Sequence, residues 1–507
     1  MTRQGQSPFT ARARRITKGT ALWLVVGALY AAACVDLNVP DLNNPAIGDL
    51  QSNPTRAGVV TATQGLFIGA RANIAPFNGY VAVLGVLGRE SYVWNAGDPR
   101  FITELLRGPL DGGSPRFGGN LWYERLANIR NAGIVVKALD VLGATPPVGM
   151  TASEKAATRG FAKTIEALDF LLLIDTRDTL GAPVDVNHDV NAPLAQFVSR
   201  DSVYGFIVGL LDSANVALAQ GGTSFPFAFP AGFTGFTTPT SFIAFNRALK
   251  ARVEAYRATL LACGVPCWTR AMSALDSSFL NVAADTAVKD AVDSVGTAAM
   301  LAHGVYYDFG SGSGDLTQGL FDPTGLNERV HPSVRTQSDT QANGQRDRRF
   351  LQKIVAVPAQ TRPFNHTADM AFTIYGSVTA PVPIIRKEEL ILLRAEAELG
   401  LGNTIGAAAL INYIRVNSGR LPPRVGLGAL PTDTIINELL RQRVYSLLFE
   451  GGHRWIDARR YNRLYLSAVS PGLPNAAVGD TVFKVMPVPT DECSARGLPS
   501  NCHPLTP

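Results

Sequence analysis

Glu450, His453 and Asp457 fall within eight residues, and they form the densest set of groups in this chain that could move a proton. An imidazole between two carboxylates is suited to general acid–base work. Two other carboxylate pairs, Glu166 with Asp169 and Glu388 with Glu389, raise the question of glycoside hydrolysis. That reaction needs two carboxyls facing each other across a cleft, which close neighbours on a helix rarely do. The six histidines, at 188, 303, 331, 366, 453 and 503, are scattered, and no H-E-x-x-H pair places two of them on one helical face. There is no G-x-S-x-G nucleophile elbow. The glycine run GSGSG at 310–314 lacks the Gly-Lys-Ser/Thr ending of a phosphate-binding loop and is read as a flexible surface loop. No enzyme class, cofactor or metal site is therefore expected. From composition alone, the 450–460 cluster reads as a solvated, charged helix end.

The elements that position these residues are mostly helices. Ile436, Leu440, Val444, Leu447 and Leu448 predict a helix starting near Asp433 or Thr434 and running into the cluster. Trp122, Leu126, Ile129, Gly133 and Val136 keep helical spacing, as do Phe242, Phe245, Leu249, Val253, Tyr256 and Leu260. Asn53-Pro54 predicts a helix start leading into Val59, Ala62 and Leu66. Ala395, Ala397, Ala407 and Ala408 allow neighbouring helices to approach closely. Two stretches cannot be long regular helices: Ser224 to Phe242, with six phenylalanines among prolines and glycines, and the segment from Gly304 carrying Tyr306, Tyr307 and Phe309. The phenylalanine loop is expected to tuck against the helical scaffold or to meet a partner. Phenylalanine lacks the polar handle of a sugar site.

Several segments together resemble the SusD/RagB family. Glu450 to Arg460 is similar to its EG-x-RW-x-D-x-RR signature, and Phe245 to Tyr256, FNRALKARVEAY, to its LKARV helix. Pro383 to Glu398, PIIRKEELILLRAEAE, resembles the family's PI-x-R-x-x-E helix, and Leu410 to Gly419, LINYIRVNSG, the helix that follows it. Trp122, Tyr123, Ile129 and Asn131 resemble an earlier helix, and Gly160, Ala162, Ala167 and Phe170, followed by Gly181, Pro183 and Val184, another with its loop. The resemblance implies a mainly α fold, an α/α superhelix with four tetratricopeptide-like helix pairs, plus a loop-rich subdomain. It further implies an outer-membrane lipoprotein that captures an oligosaccharide or other nutrient for a SusC-like TonB-dependent transporter, with no catalysis.

The amino terminus is read independently. Arg3, Arg12, Arg14, Arg15 and Lys18 precede an apolar run from Ala21 to Ala33 that is too short for a comfortable membrane span. Residues 1–33 are expected to be a signal peptide, and Cys34 the acylated first mature residue, with cleavage after Ala33 into a free secreted protein as the rival. Residues 34–53 are expected to be a flexible tether, and 54–507 one continuous unit with loop-rich insertions mainly at 221–240 and 304–382. Removing the five leader cations turns the formal charge of +5 into 41 basic against 41 acidic residues. The apparent basicity is thus a targeting signal, and no nucleic-acid partner is expected. Contact with the membrane is expected through the lipid alone, since no further run of about twenty apolar residues follows.

Cysteine usage fits export. Cys263 with Cys267 and Cys493 with Cys502 are expected as local disulfides in an oxidising compartment, a zinc site of all four being the alternative. For the ligand, a sugar ring needs flat aromatics with polar neighbours. The loop Tyr80 to Arg100, with Tyr92, Trp94, Asn95, Asp98 and Arg100, and the segment Tyr306 to Asp308 meet that demand. Tyr92, Trp94, Tyr306 and Tyr307 are the candidate ligand-binding residues. The alternative function is an exported helical-repeat scaffold that binds another protein or peptide.

Overall fold

In the computed structural model the described residues are 47–505, except 115–118, 190, 262, 288–294, 313–314, 468–470, 475–476 and 478. The expected leader, the acylated Cys34 and the first part of the tether lie outside them. The tether expected to run to residue 53 is interrupted: Ile47–Ser52 is a short helix, because Leu50 is buried in the main core.

Helices dominate. Four helix pairs can be followed among the described residues: Arg56–Arg71 with Asn120–Val141, Ala152–Arg177 with Arg200–Ala219, Pro239–Leu260 with Val265–Asp276, and Lys387–Gly400 with Thr404–Asn417. Each pair packs on the next, so the apolar stripes close into one large core. The local causes are legible. Ala152–Arg177 starts with a capping box between Thr151 and Glu154, and Pro239–Leu260 with proline at its first turn after Thr238. Arg56–Arg71 is capped by Thr55, whose side chain accepts from Gly58 N at 3.1 Å. The cap therefore lies just past the expected Asn53-Pro54, since the hydroxyl reaches the first turn from there. Arg200–Ala219 is long and apolar enough to cross a bilayer by composition. Its Val203, Ile207, Leu210 and Leu211 are buried instead, against the helices on either side.

Strands serve as short braces. Gly304–Tyr307 pairs antiparallel with Val382–Arg386, Ser91–Val93 with Glu328–Val330, and Ile354–Arg362 with His366–Phe372. The disulfides Cys263–Cys267 and Cys493–Cys502 are both formed, the second inside a small satellite core with Leu180 and Val488.

Candidate functional site

The 450–460 cluster is a set of buried ties. Glu450 accepts from Lys353 at 2.9 Å and from Arg386 Nε at 2.9 Å. Asp457 accepts from Arg443 at 2.6 Å and from Arg460 at 2.9 Å, and Arg460 also binds Glu396. Arg454 and Arg459, the nearest cations in sequence, go elsewhere. Arg454 donates to the Arg89 carbonyl at 3.0 Å, and Arg459 to the Asp175 and Lys484 carbonyls at 2.7 and 2.9 Å. Trp455 is fully buried, donates to the Phe483 carbonyl at 2.8 Å and carries the Arg459 guanidinium 4.6 Å above its ring. Burial pushes His453 down to about 3, so its ring is neutral at ordinary pH. The other carboxylates of interest are also engaged: Asp169 by Arg125 and Asn128, Glu388 by Arg386 and Ser446, Glu389 by Arg252.

An open cleft of about 970 Å³ lies where Arg56–Arg71, the phenylalanine loop and residues Tyr307–Gly310 with Asp315 meet. The helix supplies one wall for a simple reason. Val59, Thr63, Leu66 and Ala70 are its buried stripe, which leaves Gln64, Phe67, Ile68 and Arg71, at spacing i, i+3, i+4, i+7, on the cleft. The phenylalanine loop supplies the second wall. Phe225, Phe227, Phe233 and Phe236 are buried, while Phe229 and Phe67 stay half-buried with ring centroids 5.1 Å apart in an edge-on contact. The loop is thus tucked against the scaffold and also faces the cleft, which its lack of polar handles had argued against.

The third wall is held by polar ties. Arg71 donates to the Asp308 carbonyl and to the Asp315 carboxylate, and its guanidinium lies 5.9 Å from the Phe309 ring centre. Asp308 Oδ2 accepts from Ala231 N at 3.1 Å, joining this wall to the phenylalanine loop. Gly232 makes that junction possible: a Cβ there would stand 2.3 Å from the Tyr306 carbonyl oxygen.

The expected aromatics divide. Tyr306 and Tyr307 are adjacent on one strand and so project to opposite faces. Tyr307 lines the cleft, and Tyr306 lines a second one behind the ladder. Tyr307 and Ile384 also border a small interior cavity of about 30 Å³ lined by Tyr80, Asp175, Arg252 and His453. Burial pushes Asp175 up to about 7.

Tyr92 and Trp94 require a correction, because neither offers a ring face to a ligand. Both are fully buried. Tyr92 packs against His331 and His366 at 4.9 and 5.6 Å, and Trp94 donates to Gln360 at 2.9 Å with Arg329 and Arg362 over its ring at 5.6 and 5.5 Å. Asp98 and Arg100 of the same loop bind each other, at 2.9 Å. Conversely, Gln64, Phe67, Ile68 and Arg71 were not singled out from the sequence, although their spacing as a second stripe on a capped helix was available as a signal. Among the described residues, no group of three or more His, Cys, Asp or Glu side chains is placed to hold a metal ion.

A scaffold of paired helices with a cleft walled by inserted loops is the SusD-like class of fold. The SusD family model matches residues 328–488, which include the 450–460 cluster and Arg386. A SusD superfamily protein from Parabacteroides distasonis is similar with a TM-score of 0.64 at 14% identity, over 87% of this chain and 97% of that one. A SusD-like carbohydrate binding protein from Bacteroides fragilis gives 0.63 at 14%, over 89% and 99%. NanU of B. fragilis gives 0.60 at 14%, over 89% and 97%. No curated protein matches the sequence. The family match thus covers residues 328–488, and over most of the chain the fold is SusD-like.

Proposed function

We propose that this chain is a cell-surface, lipid-anchored nutrient-binding protein that captures a glycan in the cleft walled by Phe67, Phe229 and Arg71 and hands it to a SusC-like TonB-dependent transporter in the outer membrane. It binds without making or breaking bonds. The observation that carries this reading is the cleft itself: half-buried aromatic rings beside the Arg71–Asp315 pair, an apolar face with charged polar neighbours, on a SusD scaffold. The carbohydrate-binding description of the B. fragilis relative supports the ligand class. The basic and apolar leader ending in three alanines before Cys34 supports the anchor.

Calorimetry of the mature chain against a panel of neutral oligosaccharides tests the reading. Saturable binding that Ile68→Asp weakens is the expected result. Binding of peptides alone would favour the exported scaffold over the glycan receptor.

A further inference from the structure

The ladder between Gly304–Tyr307 and Val382–Arg386 has a second open cleft on its other side, of about 910 Å³. One wall is apolar: the ring of Tyr306, half-buried and fixed by a hydrogen bond from its hydroxyl to the Ala302 carbonyl, stands with Pro381 and Pro383. The opposite wall is the short helix Arg348–Lys353, which turns Arg348, Arg349, Gln352 and Lys353 toward the cleft. At the base lie Arg386, Glu388 and Glu450.

The charges of this cleft do not cancel. Glu450 is held by Lys353 and Arg386, Glu388 by Arg386, and Arg349 by Asp347 behind it. Four cations thus face three carboxylates, and Arg348, half-buried at the rim, has no ion pair or side-chain hydrogen bond among the described residues. A planar guanidinium without a partner is matched by a carboxylate, which it can bind through two parallel hydrogen bonds. A flat ring beside prolines is matched by the C–H face of a sugar.

We propose that this second cleft binds a saccharide bearing a carboxylate, the sugar ring resting on Tyr306 and the carboxylate on Arg348. The site is separate from the cleft at Phe67 and Phe229 and does not depend on glycan binding there. The Glu388–Arg386–Glu450 network below supplies a fixed floor rather than ligand contacts, because its charges are already satisfied. Binding weakens as salt is added, since the rim charge is open to solvent.

The test is calorimetry of the mature chain with trigalacturonate, sialyllactose and a glucuronate disaccharide, set beside carboxyl-reduced trigalacturonate and inorganic phosphate. At least one acidic saccharide is expected to bind. Arg348→Ala should weaken it about tenfold, the size of a lost charge-assisted hydrogen bond, Tyr306→Ala should also weaken it, and Ile68→Asp should leave it unchanged. Melting curves of the variants confirm that each is folded, and Arg348 at the rim is the substitution least coupled to the core. The proposal is overturned if none of the three acidic saccharides binds, if the reduced analogue binds equally well, or if phosphate competes as strongly as the saccharide. It is also overturned if Ile68→Asp abolishes the binding and Arg348→Ala does not, an outcome that would place acidic glycans in the first cleft.

Discussion

Arg252 holds Glu389 with two hydrogen bonds, from Nε at 2.7 Å and from Nη2 at 2.6 Å, and both side chains are buried. The pair joins Pro239–Leu260 to Lys387–Gly400, elements of two different helix pairs. Removing one partner of a buried ion pair leaves the other charge without compensation. Glu389→Gln is expected to lower stability by about 3 to 5 kcal/mol, and the apolar double substitution Arg252→Met with Glu389→Leu by clearly less. Urea denaturation of both variants decides it: equal losses would show that the pair does more than satisfy itself.

Stability should also depend on Glu90. Burial pushes this carboxyl from 4.5 up to about 8. Between those values the folded chain keeps a proton that the unfolded chain releases, so stability due to Glu90 is lost as pH rises from 4.5 to 8. Glu90→Gln cannot lose that proton. The expected outcome is that the variant gains on the parent steadily across this window, measured as the difference in denaturation midpoints. A constant difference would mean that Glu90 is ionised in the folded protein.

At the first cleft, Ile68 is 54% exposed, so replacing it disturbs little packing. Ile68→Asp is expected to weaken the ligand found in the oligosaccharide panel while the melting temperature stays within about 2 °C, as for ordinary surface substitutions. Arg71→Ala should weaken the same ligand and loosen Asp308 and Asp315, which Arg71 ties. Full-strength binding by both variants would move the site elsewhere.

The anchor is tested at Cys34. Acylation by two or more chains gives stable attachment where one does not, so Cys34→Ser should move the protein from the membrane to the soluble fraction. Continued incorporation of labelled lipid by the variant would rule Cys34 out.

The scaffold was legible because helical spacing and caps are local: Trp122 to Val136 and Phe242 to Leu260 both fall inside the helices they predict. Partners were not. Glu450 has Arg454 nearby in sequence, yet Arg386 and Lys353 bind it; Asp457 is bound by Arg460 one turn along its own helix, but also by Arg443 of the preceding helix, because burial brings in partners that sequence distance does not announce. Tyr92 and Trp94 looked like loop aromatics. Arg329 and Arg362, more than two hundred residues away in sequence, cover the indole, and nothing local in the sequence announces that. The cleft had the opposite problem: Gln64, Phe67, Ile68 and Arg71 form a regular stripe, but a stripe of half-apolar residues reads equally well as core until the phenylalanine loop is seen to stop short of covering it.

That loop bears on how a cleft of this design can change. Phe225, Phe227, Phe233 and Phe236 are sunk in the core, so the loop cannot be lengthened or exchanged wholesale without unpacking the scaffold beneath it. Gln64 and Ile68, on the helix wall of the cleft, carry no such obligation. New preferences in a lineage of such proteins should therefore accumulate as single replacements at these open positions, leaving the deeply seated phenylalanines as a fossil record of the ancestral frame.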